Sequence, residues 1–170
     1  MRTYRAAPSR GSLWIAGMAL LMVAFACLGL VIPGVPWVGL LTAAIFAPFA
    51  LFSALLAMWL PAMRYELGDR ELILRCGPIR YVIPLGDIQK VAKRDLALNP
   101  ISSVRGPGYA LFRVPYADVG TVTMCATRSL KDIILITTGR GKFGITPLEE
   151  DDFLLELTRR LEQADAALPG

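Results

Sequence analysis

The chain has 170 residues and a formal net charge of +4, with 55% apolar and 19% charged residues and no histidine. That length holds one compact domain plus an attachment, not two full cores. Without an imidazole, Ser-His-Asp and Cys-His nucleophile activation and His-ligated metal sites are excluded. The charges are unevenly placed: none falls between Gly11 and Met63, and 29 of the 32 charged side chains follow that 53-residue stretch. Such a gap marks a segment that sits in lipid.

Residues 1–11, with Arg2, Arg5 and Arg10, read as a cytoplasmic N-terminal tail. Residues 12–60 read as a transmembrane helical hairpin, because crossing the hydrocarbon takes about 20 helical residues. The first span is predicted at about 12–32 and the second at about 38–60. Pro33-Gly34-Val35-Pro36-Trp37 between them leaves room only for a tight reversal. Basic residues flank the outer ends (Arg2, Arg5, Arg10, Arg64, Arg70) and the turn has none, which predicts a multi-pass protein of the plasma (inner) membrane with both termini cytoplasmic. Trp14, Trp37 and Trp59 lie near span ends, where an indole prefers the interface.

Ala43, Ala47, Ala50, Ala54 and Ala57 recur at spacings of four and three, a small-residue stripe for helix packing. Its partner is either the Gly17 and Ala24 side of the first helix or another copy of the chain. Pro48 is expected to kink the second span. A cleaved signal peptide is the rival for the N-terminus, since Ala24-Phe25-Ala26 precedes Cys27, but the apolar run continues through Ile32. Cys27, Cys76 and Cys125 form no C-x-x-C pair and are expected as small buried apolar residues, in neither a zinc site nor a disulfide framework.

Residues 64–168 read as a cytoplasmic domain of short strands. Tyr65–Leu67, Glu71–Cys76, Ile79–Ile83, Ile88–Lys93, Thr121–Thr127, Asp132–Thr138 and Lys142–Ile145 are predicted strands, with turns at Gly68-Asp69, Gly77-Pro78 and Gly139-Arg140-Gly141. Thr146-Pro147-Leu148-Glu149 reads as a helix start with a capping box, Thr146 being the cap. Phe153, Leu154, Leu157 and Leu161 form an apolar stripe on a helix ending near Ala166.

The run from Leu74 to Ile88 (LRCGPIRYVIPLGDI), Ala126-Thr127-Arg128, Ile133 to Gly139, Ile145-Thr146-Pro147 and Phe153-Leu154 together resemble the bacterial pleckstrin-homology (PH) domain family over roughly Arg64 to Leu161. The resemblance implies an α+β membrane protein: a two-helix transmembrane hairpin followed by a PH-like small β-barrel or sandwich capped by a C-terminal helix. It also implies a binding scaffold rather than an activity. Eukaryotic relatives grip inositol phosphates with a basic K-x(n)-[KR]-x-R arrangement on the first hairpin. Here that hairpin has Arg70, Arg75 and Arg80 with Glu71 between them and no R-x-R.

From Arg64 to Thr146 there are 13 basic and 7 acidic side chains, and from Pro147 onward 2 basic and 7 acidic, so the sheet region is basic and the last helix acidic. The connection from Leu96 to Val119 reads as a long loop, and Arg105, Tyr109, Phe112, Arg113 and Tyr116 on it are the candidate residues for ligand or partner binding. No phosphate loop is present, since Gly106-Pro107-Gly108 lacks a following lysine, and no carboxylate pair is demanded by spacing. The expectation is a non-enzymatic membrane-anchored binding or assembly module without cofactor or metal. An unknown protein partner or self-assembly as a homo-oligomer comes first, and anionic phospholipid binding by the basic sheet and long loop is the alternative. Nucleic acid is not expected as a partner, because the part following the spans is net only +1.

Overall fold

The chain joins the domain before its two long apolar helices begin. In the computed structural model, which describes residues 1–31, 36–97, 99 and 105–166, the strand β1 (Arg2–Arg5) pairs antiparallel with β2 (Arg64–Leu67), so that Thr3 lies opposite Glu66 and Tyr4 opposite Tyr65. The residues expected as a tail therefore contribute an edge strand. Four residues give no readable periodicity, and the pairing partner lies some 60 residues away. Only Tyr4 points inward: its ring meets Phe153 edge-on at 5.1 Å and its hydroxyl donates to Asp152 at 2.9 Å.

Between β1 and β2 run α1 (Gly11–Val31) and α2 (Pro36–Trp59), both long and apolar enough to cross a membrane. Because β1 precedes them and β2 follows, both outer helix ends lie on the domain's side. Ile32 and the turn residues Pro33 to Val35 lie outside the described residues, as do Ala167 and Leu168. Pro36 opens α2, where its missing N–H costs nothing. Near the turn the helices nearly touch: a Cβ on Gly39 would stand 2.5 Å from the Gly29 carbonyl oxygen.

The face of α1 turned inward carries Ile15, Ala19 and Ala26, all buried. The Gly17 and Ala24 side is exposed, and a Cβ on Gly17 would meet nothing within 4 Å. Of the alanine stripe, Ala50 is buried, Ala43 and Ala57 half-buried, and Ala47 and Ala54 exposed. A seven-residue repeat, not the whole stripe, faces inward, because spacings of three and four alternate across one helical face. Pro48 lies inside α2, which runs through it as one helix.

Beyond a short 3₁₀ turn (Leu60–Ala62), β2, β3 (Glu71–Cys76) and β4 (Ile79–Pro84) complete an antiparallel sheet in the order β1-β2-β3-β4. The second sheet holds β5 (Ile88–Arg94), β6 (Arg105–Gly106), β7 (Tyr109–Tyr116), β8 (Gly120–Ala126), β9 (Ile133–Thr138) and β10 (Gly141–Ile145), in the order β5-β9-β10-β8-β7-β6. The β8–β10 pair is parallel, because β9 forms a hairpin with β10 and the chain must cross back to β8. The sheets pack as a sandwich. It does not close into a barrel: among the described residues β4 pairs with β3 alone and β5 with β9 alone.

Leu67, Leu72 and Leu74 of the first sheet meet Ile134, Ile136 and Ile145 of the second in one buried cluster. Tyr65 is wholly buried there; its hydroxyl donates to the Cys125 carbonyl at 2.7 Å and accepts from the Thr146 N–H at 3.3 Å. Burial, offset in part by the bond from Thr146, pushes its phenol up to about 12. The open end is covered by α3 (Glu150–Ala166), which buries Phe153 and Leu157. Its Arg160 is itself buried, donating to Glu156 at 2.8 Å and to the Leu67 carbonyl at 2.8 Å.

Two sequence expectations are corrected here. Cys76 on β3 and Cys125 on β8 are not merely apolar fillers: their sulfurs are paired, with 5.9 Å between Cα atoms, and Met63 Sδ lies against both. Their 49-residue separation crosses from one sheet to the other, which sequence spacing does not reveal. Thr146 does not cap α3, which starts at Glu150. Its hydroxyl accepts from the Thr127 N–H at 2.9 Å, while its carbonyl accepts from the Ala7 N–H at 2.8 Å. The N-terminal segment thus lies over residues 146–148, with Ala6 bridged to Pro147, and delays the helix.

Candidate functional site

The segment from Leu96 to Val119 is not a structureless loop, although Leu98 and residues 100–104 lie outside the described residues. It contains β6 and the eight-residue strand β7, whose sequence YALFRVPY hides a strand behind Pro115 and the preceding Gly106-Pro107-Gly108. Pro115 is tolerated because β6 pairs only with Tyr109 and Ala110, leaving the outer side of β7 at Pro115 free of a ladder bond. Pro107 and Gly108 make the two-residue turn, and Gly108 takes φ +84°, which glycine adopts without penalty.

This hairpin rests on the start of α1. Ser9 Oγ donates to the Gly108 carbonyl at 2.6 Å and accepts from the Gly11 N–H at 3.2 Å. The approach requires glycine on both sides: a Cβ on Gly11 would stand 2.3 Å from the Gly108 oxygen, and one on Gly108 2.7 Å from the Gly11 nitrogen. Between the hairpin and the helices lies a cleft of about 410 Å³, walled by Trp14, Ile15, Met18 and Met22 of α1, Phe49, Phe52, Ser53 and Leu56 of α2, and Arg105, Gly106, Pro107 and Tyr109.

Of the five candidate residues, Arg105 and Tyr109 line this cleft. Arg105 Nη2 donates to the Asn99 carbonyl, its guanidinium carbon lies 5.9 Å from the Tyr116 ring centre, and Nη1 is buried with no hydrogen-bond partner among the described residues. Tyr116 is buried behind Arg105, its hydroxyl donating to the Ser129 carbonyl at 2.6 Å. Burial, against the nearby Arg105 cation, pushes that phenol up to about 12. Phe112 packs against the main core at φ +63°, a left-handed value that costs a non-glycine residue about 1–3 kcal/mol. Arg113 is exposed, opposite Thr123 on β8. The structure thus joins Arg105, Tyr109 and Tyr116 and leaves Phe112 and Arg113 elsewhere.

The helix walls were missed by sequence reasoning, although Trp14, Met18 and Met22 recur every fourth residue and so share one face of α1. Arg10 lines an adjoining groove with Leu13, Trp14 and Met18, while Arg64, exposed on β2, pairs with Glu66 at 3.2 Å. Among the described residues no group of three or more Cys, Asp or Glu side chains is placed to hold a metal.

Compared with known families, residues 63–161 match the one described as Bacterial PH domain. The chain belongs to the bacterial PH domain family. No curated protein and no solved structure matches it. PH domains are in general non-catalytic binding modules, and two sheets of strands with a C-terminal helix fit that family. This bacterial PH domain adds a feature that the matched residues omit: β1, which precedes the two long apolar helices, completes its first sheet.

Proposed function

We propose that this bacterial PH domain is a non-enzymatic, membrane-anchored module that reads anionic phospholipid at the cytoplasmic face of the plasma membrane. The observation carrying this reading is the clamping of the β6–β7 hairpin onto the start of α1, which holds Arg105 and Tyr109 in the cleft beside the groove that Arg10 lines. Each basic residue close to an anionic surface contributes about 1 kcal/mol, and the effect fades within a Debye length. The side of the membrane is inferred from the arginines flanking the spans.

The full chain is the material for the test, since a fragment beginning at Arg64 would lack β1. Reconstituted in nanodiscs, it is expected to unfold at a higher temperature in phosphatidylglycerol than in phosphatidylcholine, with the difference shrinking between low salt and roughly 0.15 M. Equal midpoints in both lipids would contradict the lipid reading.

A second reading, a protein partner or another copy of the chain, draws on the uncovered edge of β4, where Val82 is 44% exposed. A strand added there would be held by main-chain bonds. Arg80 and Pro84 on the same strand are the kind of residues that blunt an edge against such pairing, which is why the lipid reading is preferred.

A further inference from the structure

We propose that the cleft between the β6–β7 hairpin and the two membrane helices binds a single anionic phospholipid, an acyl chain lying along Met18, Met22, Phe49 and Phe52 and the phosphate meeting Arg105. This inference rests on the lipid reading above and narrows it from a charged surface to one built site. The cleft volume of about 410 Å³ falls within the roughly 300–1,000 Å³ usual for small-molecule sites. Its walls come from two helices that read as membrane spans, so the molecules surrounding its mouth are lipids and an apolar chain is the natural occupant.

The polar end of the cleft is specific. Arginine presents donors in a planar fork suited to a phosphate. Here Nη2 is taken by the Asn99 carbonyl, and Arg105 is the one cation lining the cleft among the described residues. A net anionic headgroup is favoured over a zwitterionic one: Arg10 lines the groove on the other side of Trp14, and no carboxylate lines either cleft to receive a choline. Free phosphate would leave the apolar wall empty, so the lipid is the occupant assigned.

Native mass spectrometry of the full chain released from discs containing equal phosphatidylglycerol and phosphatidylcholine tests this. One phosphatidylglycerol per chain is expected to remain bound. Arg105→Gln should lower its retention roughly tenfold, the loss of one charge-assisted contact, and Ser53→Phe should do the same by filling the cleft with Arg105 intact. Arg113→Gln should retain the lipid. Should Arg105→Gln not fold, judged by its unfolding midpoint in detergent, Ser53→Phe decides. Retention by both variants, or equal retention of the two lipids by the unaltered chain, would overturn the site. If Arg105→Gln keeps its bound lipid while the midpoint still rises in phosphatidylglycerol discs, this site fails and the broader lipid reading stands. No midpoint difference for the unaltered chain would remove both.

Discussion

Tyr4→Ala is expected to destabilise the domain of the full chain by about 3–5 kcal/mol, the usual cost of deleting a buried aromatic ring. Tyr4 is 3% exposed, packs edge-on against the wholly buried Phe153 and donates to Asp152, which Arg2 also meets at 3.2 Å. Truncation would leave a cavity where β1, β2 and α3 converge. Tyr4→Phe keeps the ring contact and loses one hydrogen bond, so it should cost only about 1 kcal/mol. Denaturant unfolding in detergent, followed by the far-ultraviolet signal of the sheets, separates the two. A loss below about 1 kcal/mol for the alanine variant would mean that the N-terminal strand is not part of the folded domain.

Gly11→Ala tests the other attachment. The new methyl would stand 2.3 Å from a backbone oxygen of Gly108, and a carbonyl held in a two-residue turn has no rotamer by which to escape. The hairpin must shift off α1, at a cost of about 1–3 kcal/mol, typical of overpacking. Alanine at Gly11 favours the helix itself, so α1 should be unharmed and the damage confined to the seam. Limited proteolysis should then cut near Pro107 faster than in the unaltered chain, and phosphatidylglycerol retention should fall. Unchanged cleavage and retention would show that the hairpin does not rest on the helix.

The elements legible in the sequence were those whose cause is local. The two long apolar helices, Gly11–Val31 and Pro36–Trp59, begin and end within one or two residues of the predicted runs, because an uncharged run needs no partner to declare itself. Strands such as Glu71–Cys76 and Ile79–Pro84 were readable from turn residues at both ends, and the stripe of Phe153 and Leu157 faces the core as its helical spacing requires. The missed elements depend on distant chain. β1 is four residues whose strand character comes from β2, β7 tolerates Pro115 only because its outer side is unpaired there, and Thr146 was lost as a cap because Ala6 and Ala7 occupy its surroundings. The site shows the same division. Arginine and aromatic residues drew attention to Arg105 and Tyr109, whereas the wall they face, from Trp14 to Leu56, becomes visible only when the hairpin is seen against the helices.

Hydrogen exchange of the full chain in phosphatidylglycerol and phosphatidylcholine discs tests the central claim most directly, because it reports on the seam and on the lipid together. Docking of the β6–β7 hairpin onto α1 with an anionic lipid beside Arg105 predicts slower exchange for amides of residues 105–110 in phosphatidylglycerol, with β2 and β3 unchanged between the two lipids. Rapid exchange of residues 105–110 in both lipids, equal to that of an unattached turn, would contradict it.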